Sequence, residues 1–189
     1  MLDQDILDAE RIRLQQATNA GLAMPIAGGL AWAAISVAST QLDLEVWSFV
    51  ACFGLGMIFP LALLLQGVTR SPFMKAKSPL NSVLAPAIVV ANLHWPITFA
   101  LPSYAPELFP LAFGLSTAPI WAIIGWQYAS KIGWLHLALR VPGVVVLSAL
   151  APDVQTAATW ITAFVAGVYV VSAIGFTLEV SSRRTFAAA

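Results

Sequence analysis

Long stretches without a single charged residue dominate this chain. Residues 14–42, 46–69, 78–106, 108–130 and 154–178 contain no Asp, Glu, Lys or Arg, and a sixth stretch, 132–152, is broken only by Arg140. A helix needs about 20 apolar residues, rising about 1.5 Å each, to cross the roughly 30 Å hydrocarbon layer. Each stretch is long enough to do so. A soluble domain carries about 25% charged residues; this chain carries 10%, with 59% hydrophobic residues and a mean hydropathy of +0.83. Lipid is the solvent such a surface suits. The 189 residues make one domain, with roughly 120 of them placed in lipid by the span arithmetic.

The predicted fold is all-α, a polytopic transmembrane helix bundle of six spans at about 20–39, 46–66, 83–101, 109–126, 132–151 and 156–178. Residues 1–19 read as an interfacial N-terminal helix and 179–189 as a tail. A β-barrel is excluded by pattern, because its strands would alternate polar and apolar residues and these runs are apolar on all sides. The gaps between spans alternate in sign. Arg11, Arg13, Arg70, Lys75, Lys77, Lys131, Arg183 and Arg184 fall on one side, with Arg140 leaning to it. Asp43, Glu45, Glu107 and Asp153 are the charges of the other side. The positive-inside rule then places both termini in the cytoplasm, and the expected location is a bacterial inner membrane.

The first residues place Asp3, Asp5, Asp8 and Glu10 before Arg11 and Arg13, an order that suits the helix dipole. Leu2, Ile6, Leu7 and Leu14 give this helix an apolar side. A secretory signal is not expected, since its first segment would be basic and its apolar core shorter. Trp47, Tyr104 and Trp160 are predicted at the outer interface, and Trp126, Tyr128 and Trp134 at the inner one. Gly29 with Ala33, and Ala163 with Gly167, are small residues at i,i+4 spacing that would let helices approach closely in lipid. Proline interrupts five spans, at Pro25, Pro60, Pro86 with Pro96, Pro119 and Pro142. Each leaves the carbonyl four residues earlier without its usual donor; these read as kinks within a bundle, or as places where a polar group or water fills in.

Arg140 is the most exceptional residue. It lies on the order of 12 Å beyond the predicted inner boundary, where a charge costs at least ~2.5 kcal/mol. Two readings stand. Its stem can snorkel toward the cytoplasm, or it faces a polar cavity and holds an anion. No carboxylate lies in a span at its depth, and a hairpin of the last two spans sets it opposite Gly167 and out of reach of Glu179. An unpaired cation beside small residues suits a lipid phosphate or a small anion.

His136, one turn before Arg140, shares its face and reads either as an interfacial histidine or as part of the same site. His94 and Asn92 fall mid-span and need polar partners there. Pairing spans 3 and 4 brings His94 toward Ser116 and Thr117, for an interhelical hydrogen bond or for a ligand contact or proton relay.

Signatures of other functions are missing. Two isolated histidines with no intramembrane carboxylate do not make a metal site, so neither a metal nor a cofactor is expected. A Ser-His-Asp arrangement lacks its acid, no catalytic residue is assigned, and the chain is not read as an enzyme. A net charge of +0 argues against nucleic acid. Cys52, the only cysteine, cannot form an internal disulfide and reads as a small packing residue.

Several segments, Gly56-Met57-Ile58-Phe59-Pro60, Ser78-Pro79-Leu80, and Pro106-Glu107-Leu108 leading to Phe113-Gly114, occur in an order that resembles a family of small bacterial inner-membrane proteins of unknown function. The resemblance implies a six-helix inner-membrane protein and no activity or site residues. From the residues themselves, the expected function is binding or transport of a small molecule or lipid through a polar intramembrane cavity using Arg140, His94 and Asn92. The expected partners are the bilayer and an anionic lipid or small anionic solute, with self-association into a homo-oligomer open. The second reading is a structural or accessory subunit whose small-residue faces dock a partner, and an embedded enzyme ranks third.

Overall fold

The computed structural model describes residues 4–188, all helices and turns. Leu2 and Asp3, and the side chain of Arg184, lie outside the described residues. The helices run α1 Gln4–Ala17, α2 Ala23–Ser39, α3 Leu44–Gly56, α4 Ile58–Thr69, α5 Asn81–Ala91, α6 Trp95–Tyr104, α7 Phe109–Ser116, α8 Ala118–Gln127, α9 Lys131–Leu150 and α10 Val154–Ala188. Five stretches are long and apolar enough to cross a bilayer: Asn19–Ser39, Asn81–Tyr104, Pro106–Gln127, Lys131–Leu150 and Val154–Arg183. The pair α3 and α4, bent by 41°, makes a sixth if it counts as one crossing. Residues expected as a tail after 178 instead continue α10.

Local chemistry explains where these helices begin. Asp43 caps α3 by accepting from the Val46 N–H at 2.9 Å. Ser130 caps α9 through the Ile132 N–H at 3.1 Å, and Asp153 caps α10 through the Thr156 N–H at 2.8 Å.

Proline explains where three of them break. Pro60, Pro96 and Pro119 have no N–H to give the carbonyls of Gly56, Asn92 and Leu115, and each ring crowds the turn before it. The chain accordingly breaks at Met57 between α3 and α4, over Asn92–His94 between α5 and α6, and at Thr117 between α7 and α8. Pro142, by contrast, sits inside α9 without interrupting it.

The core lies where α2 packs along α10, with α7 and α9 completing it. Trp32 meets Phe113 at 5.0 Å between ring centroids, and Trp47 meets Phe109 at 5.6 Å. Trp47 is therefore not the interface anchor expected from its position. It is fully buried and its Nε1–H donates to the Ile35 carbonyl at 3.1 Å. Tyr128 is likewise buried rather than interfacial, whereas Tyr104 and Trp160 are exposed.

The small-residue contacts also differ from the expected pairs. Ala33, Ala163 and Gly167 face outward, and a Cβ on Gly167 would meet nothing within 4 Å. Close approach occurs instead at Gly28, where a Cβ would collide with the Tyr169 ring, and at Gly133, where it would collide with the Gly125 backbone.

One end of the bundle is tied together by charge. Arg11 pairs with Asp8 at 2.7 Å and Arg13 with Glu10 at 2.6 Å. Arg13 also donates to the Lys77 carbonyl at 2.9 Å, and Ser78 donates to Glu10 at 2.6 Å. From the other terminus, Arg183 reaches Gln15 at 2.6 Å, the Ala129 carbonyl at 2.7 Å and Glu179 at 2.8 Å. The N-terminal helix, the 70–80 loop, the 128–130 turn and the last part of α10 thus meet at the same end. The guanidinium groups reach across them because the loops leave carbonyls unclaimed there, and the Glu10 carboxylate is held by the Ser78 hydroxyl.

Candidate functional site

Arg140 does not snorkel. Its side chain is 0% exposed, because α9 turns that face toward the core, with Val144 one turn further along and equally buried. Its Nε–H donates to the Gly114 carbonyl at 2.8 Å. Gly114 stands in the last turn of α7, where the carbonyls have lost their helical donors and carry the negative end of the helix dipole. The guanidinium carbon sits 4.9 Å from the Trp32 ring centre and 5.9 Å from that of Tyr169. Aromatic faces hold a desolvated cation with about 2 kcal/mol.

Gly167, expected opposite Arg140, is on the outer surface instead, and Glu179 is engaged with Ser130 and Arg183.

His136 shares this interior. It stacks flat on Trp121, with centroids 3.5 Å apart and 7° between planes, and meets Tyr169 edge-on at 4.9 Å. Its Nδ1 lies 2.8 Å from Ser172 Oγ. That hydroxyl donates its one proton to the Val168 carbonyl at 2.8 Å, so it accepts from the imidazole. Nδ1 therefore carries the proton of the neutral ring, and Nε2 presents a lone pair.

The hydrogen-bond inventory is incomplete here. Arg140 Nη1 and Nη2, His136 Nε2 and Trp32 Nε1 are buried and have no hydrogen-bond partner among the described residues. Each such group costs about 1–3 kcal/mol, and more when charged.

A half-open cavity of about 570 Å³ lies on the other side of Trp121 and Tyr169. Its wall includes Gly56, Asn92 and Thr117, one from each of the three helix breaks that Pro60, Pro96 and Pro119 impose, and also Cys52. The remaining lining is apolar, from residues such as Leu55, Phe59 and Ile120. Thr117 Oγ1 is buried without a hydrogen-bond partner among the described residues. Asn92 is committed, donating to the Ile88 carbonyl at 2.7 Å and accepting from Trp95 Nε1 at 2.8 Å. Such a space holds the body of a mostly apolar small molecule and offers few polar contacts.

The six candidate residues thus divide. Asn92 and Thr117 line the cavity, and Arg140 and His136 lie together behind its wall. His94 and Ser116 stand apart from both: His94 Nδ1 donates to the Ala91 carbonyl at 3.0 Å, and Ser116 donates to the Phe113 carbonyl at 2.7 Å. No hydrogen bond joins His94 to Ser116 or Thr117 among the described residues, because the α5–α6 break turns the His94 ring onto Trp95, 5.3 Å away.

Sequence reasoning passed over Tyr169, which borders cavity and cation alike, and Trp121, which lines the cavity and stacks on His136; only their polar tips in apolar runs mark them. No group of three His, Cys, Asp or Glu side chains able to hold a metal occurs among the described residues.

A model described as Family of unknown function (DUF7010) matches residues 7–179. No curated protein and no solved structure matches the chain.

Proposed function

The chain belongs to this family of unknown function, and from its own geometry we propose that it is a small-molecule or lipid binding protein of the transport type, working through an intramembrane cavity. The observation that carries this reading is the convergence of three proline-made helix breaks on one space of about 570 Å³. Discontinuous helices around a mid-bundle site are what transport-type proteins use to bind within a membrane. The apolar lining calls for a ligand whose body is hydrocarbon. Thr117 Oγ1 offers it a polar contact.

The helices have the length and composition of a multi-pass membrane protein. The proposal extends this to six crossings of a bacterial inner membrane with both termini in the cytoplasm. Its support is the sign asymmetry of the loops and the meeting of both terminal helices at one end. Reporter fusions at each terminus test the orientation: periplasmic activity at either end refutes it.

Cys52 supplies the test of the cavity. It is the only cysteine and lies in the wall, so an occupant should slow its reaction with an apolar organomercurial. Decanol is expected to protect Cys52, and Gly56→Leu, which fills the space from a position with nothing within 4 Å of a new Cβ, is expected to remove that protection. Equal labelling with and without decanol in the unsubstituted protein refutes the reading.

A second reading, an accessory subunit of a membrane complex or a homo-oligomer, draws on the outward placement of Ala163 and Gly167. A helix docking there approaches closely over small residues. Loss of a defined oligomer in Gly167→Leu, seen by native mass spectrometry, is the result that favours it.

A further inference from the structure

Tyr169, beside Trp121, stands between the cavity and the buried cation. Tyr169 lines the cavity, and its ring lies 5.9 Å from the Arg140 guanidinium carbon and 4.9 Å from the His136 ring. Arg140 and His136 sit one turn apart on the same face of α9 and both border the volume this ring fills. Gly28 forms its seat, since a Cβ there would occupy the ring's position. Turning Tyr169 toward the cavity would join the two spaces. The merged site would have an apolar body and a polar end built from Arg140, His136 and the Trp32 indole.

The chemistry of that end specifies what it takes. Arg140 Nη1 and Nη2 and Trp32 Nε1 are donors without acceptors, and no ion pair reaches Arg140 among the described residues. An oxyanion supplies several acceptor oxygens at once, and a guanidinium binds it through parallel hydrogen bonds. His136 is the exception: with Nδ1 donating to Ser172, its Nε2 lone pair would face an anionic oxygen and repel it. One proton on Nε2 turns that repulsion into a charge-assisted hydrogen bond.

Resting on the cavity reading above, we propose that Arg140, His136 and Trp32 form a gated site for the oxyanion head of the ligand, a carboxylate or phosphate, and that one proton binds His136 Nε2 with it. The balance is simple: one anion and one proton enter, the proton coming from water or from the acid form of the ligand, and no covalent bond changes. The groups facing His136 are Trp121 from α8, Tyr169 and Ser172 from α10, and Arg140 from α9 itself. Arg140 and Tyr169 are the charged and titratable ones among them. Approach of the anion to Arg140 removes the charge that opposes protonation of the imidazole, so anion and proton favour each other's binding.

The experiment uses the full chain in lipid nanodiscs with decanesulfonate, an oxyanion amphiphile that stays ionised, and decanol, its neutral counterpart, both read by protection of Cys52. Decanesulfonate is expected to bind at least about tenfold more tightly than decanol. Its affinity is expected to rise by up to about tenfold per unit fall in pH, the limit for one linked proton. His136→Gln should abolish that pH slope, and Arg140→Gln should reduce decanesulfonate to the level of decanol. The two-probe comparison and its pH slope need no variant, so a misfolded substitution does not spare the proposal.

Equal protection by both probes, or decanesulfonate binding without a pH slope, overturns this inference and leaves the cavity reading standing. Protection by neither probe brings down both. Inorganic phosphate in competition separates the sources: displacement of decanesulfonate assigns the site to a free anion, and no displacement assigns it to the head of an amphiphile.

Discussion

Arg140 Nε donates to the Gly114 carbonyl across 2.8 Å, which fastens α9 to the open end of α7. Lysine cannot reproduce this bond, because its ammonium lacks a donor partway along the stem and carries no planar fork. Arg140→Lys keeps the charge, leaves the carbonyl bare and weakens the hold of the two aromatic rings. The expected loss is about 1.5–3 kcal/mol, the range for a hydrogen bond to a charged group, read as a lower unfolding midpoint in detergent. An unchanged midpoint would show that the guanidinium contributes nothing to holding α7.

Gly28 and Gly167 offer a matched pair of substitutions. Alanine at Gly28 drives a methyl into the Tyr169 ring, and overpacking of this kind costs about 1–3 kcal/mol. Alanine at Gly167 meets open space and, in a helix interior, is expected to be neutral or to stabilise by up to about 1 kcal/mol. Thermal unfolding of the two proteins side by side decides the matter; similar midpoints would contradict the packing described for α2 against α10.

Pro119→Ala restores an N–H to the Leu115 carbonyl and favours a continuous helix through Thr117. Stability is expected to hold or to rise by up to about 1 kcal/mol, while protection of Cys52 by decanol weakens by about tenfold or more, equivalent to about 1.4 kcal/mol. A variant that unfolds more easily yet binds as before would separate the break from the cavity.

The cluster at the N-terminal helix responds to acid. Hydrogen bonds from Arg13 and from Ser78 hold the Glu10 carboxyl down at about 2, against an ordinary value of 4.5. A depressed carboxyl stabilises the fold when ionised, so its contribution is complete above about 4.5 and drains away as the pH falls toward 2. Protection of the amides in α1 and at Ser78 and Leu80, taken relative to their intrinsic exchange rates, should therefore fall across that window, and Glu10→Gln should flatten the response. Protection that stays constant with pH there would remove Glu10 from the tie between helix and loop.

The apolar spans were legible because lipid imposes length and composition on each helix separately, with no knowledge of its neighbours. Arg140 stood out for the same reason: a lone charge in such a run needs an explanation wherever it ends up. Its direction was not legible. Whether α9 turns Arg140 outward or inward depends on Gly114 and Trp32, which are distant in sequence.

Trp47 misled because its position beside Glu45 resembles an interface, while burial by Phe109 and Phe113 is a tertiary fact. The glycines misled in a related way. Spacing marks which small residues share a face, but Gly28 rather than Gly29 receives Tyr169 through the rotation of α2, which no local pattern reports. Pro60, Pro96 and Pro119 announced their breaks plainly; that all three breaks open on one space emerges only when the helices are assembled.

Those same prolines bear on how the bundle can deform. At Gly56, Asn92 and Leu115 the donor that a continuous helix would supply four residues on is absent from the covalent structure. Each half-rod is therefore joined to its neighbour by fewer backbone bonds, such as those from the Met57 N–H to the Phe53 carbonyl and from the Trp95 N–H to the Asn92 carbonyl. Resistance to pivoting is left to those few bonds and to side-chain contacts. The softest direction of the whole assembly therefore runs through its vestibule, and a guest entering there meets walls already hinged.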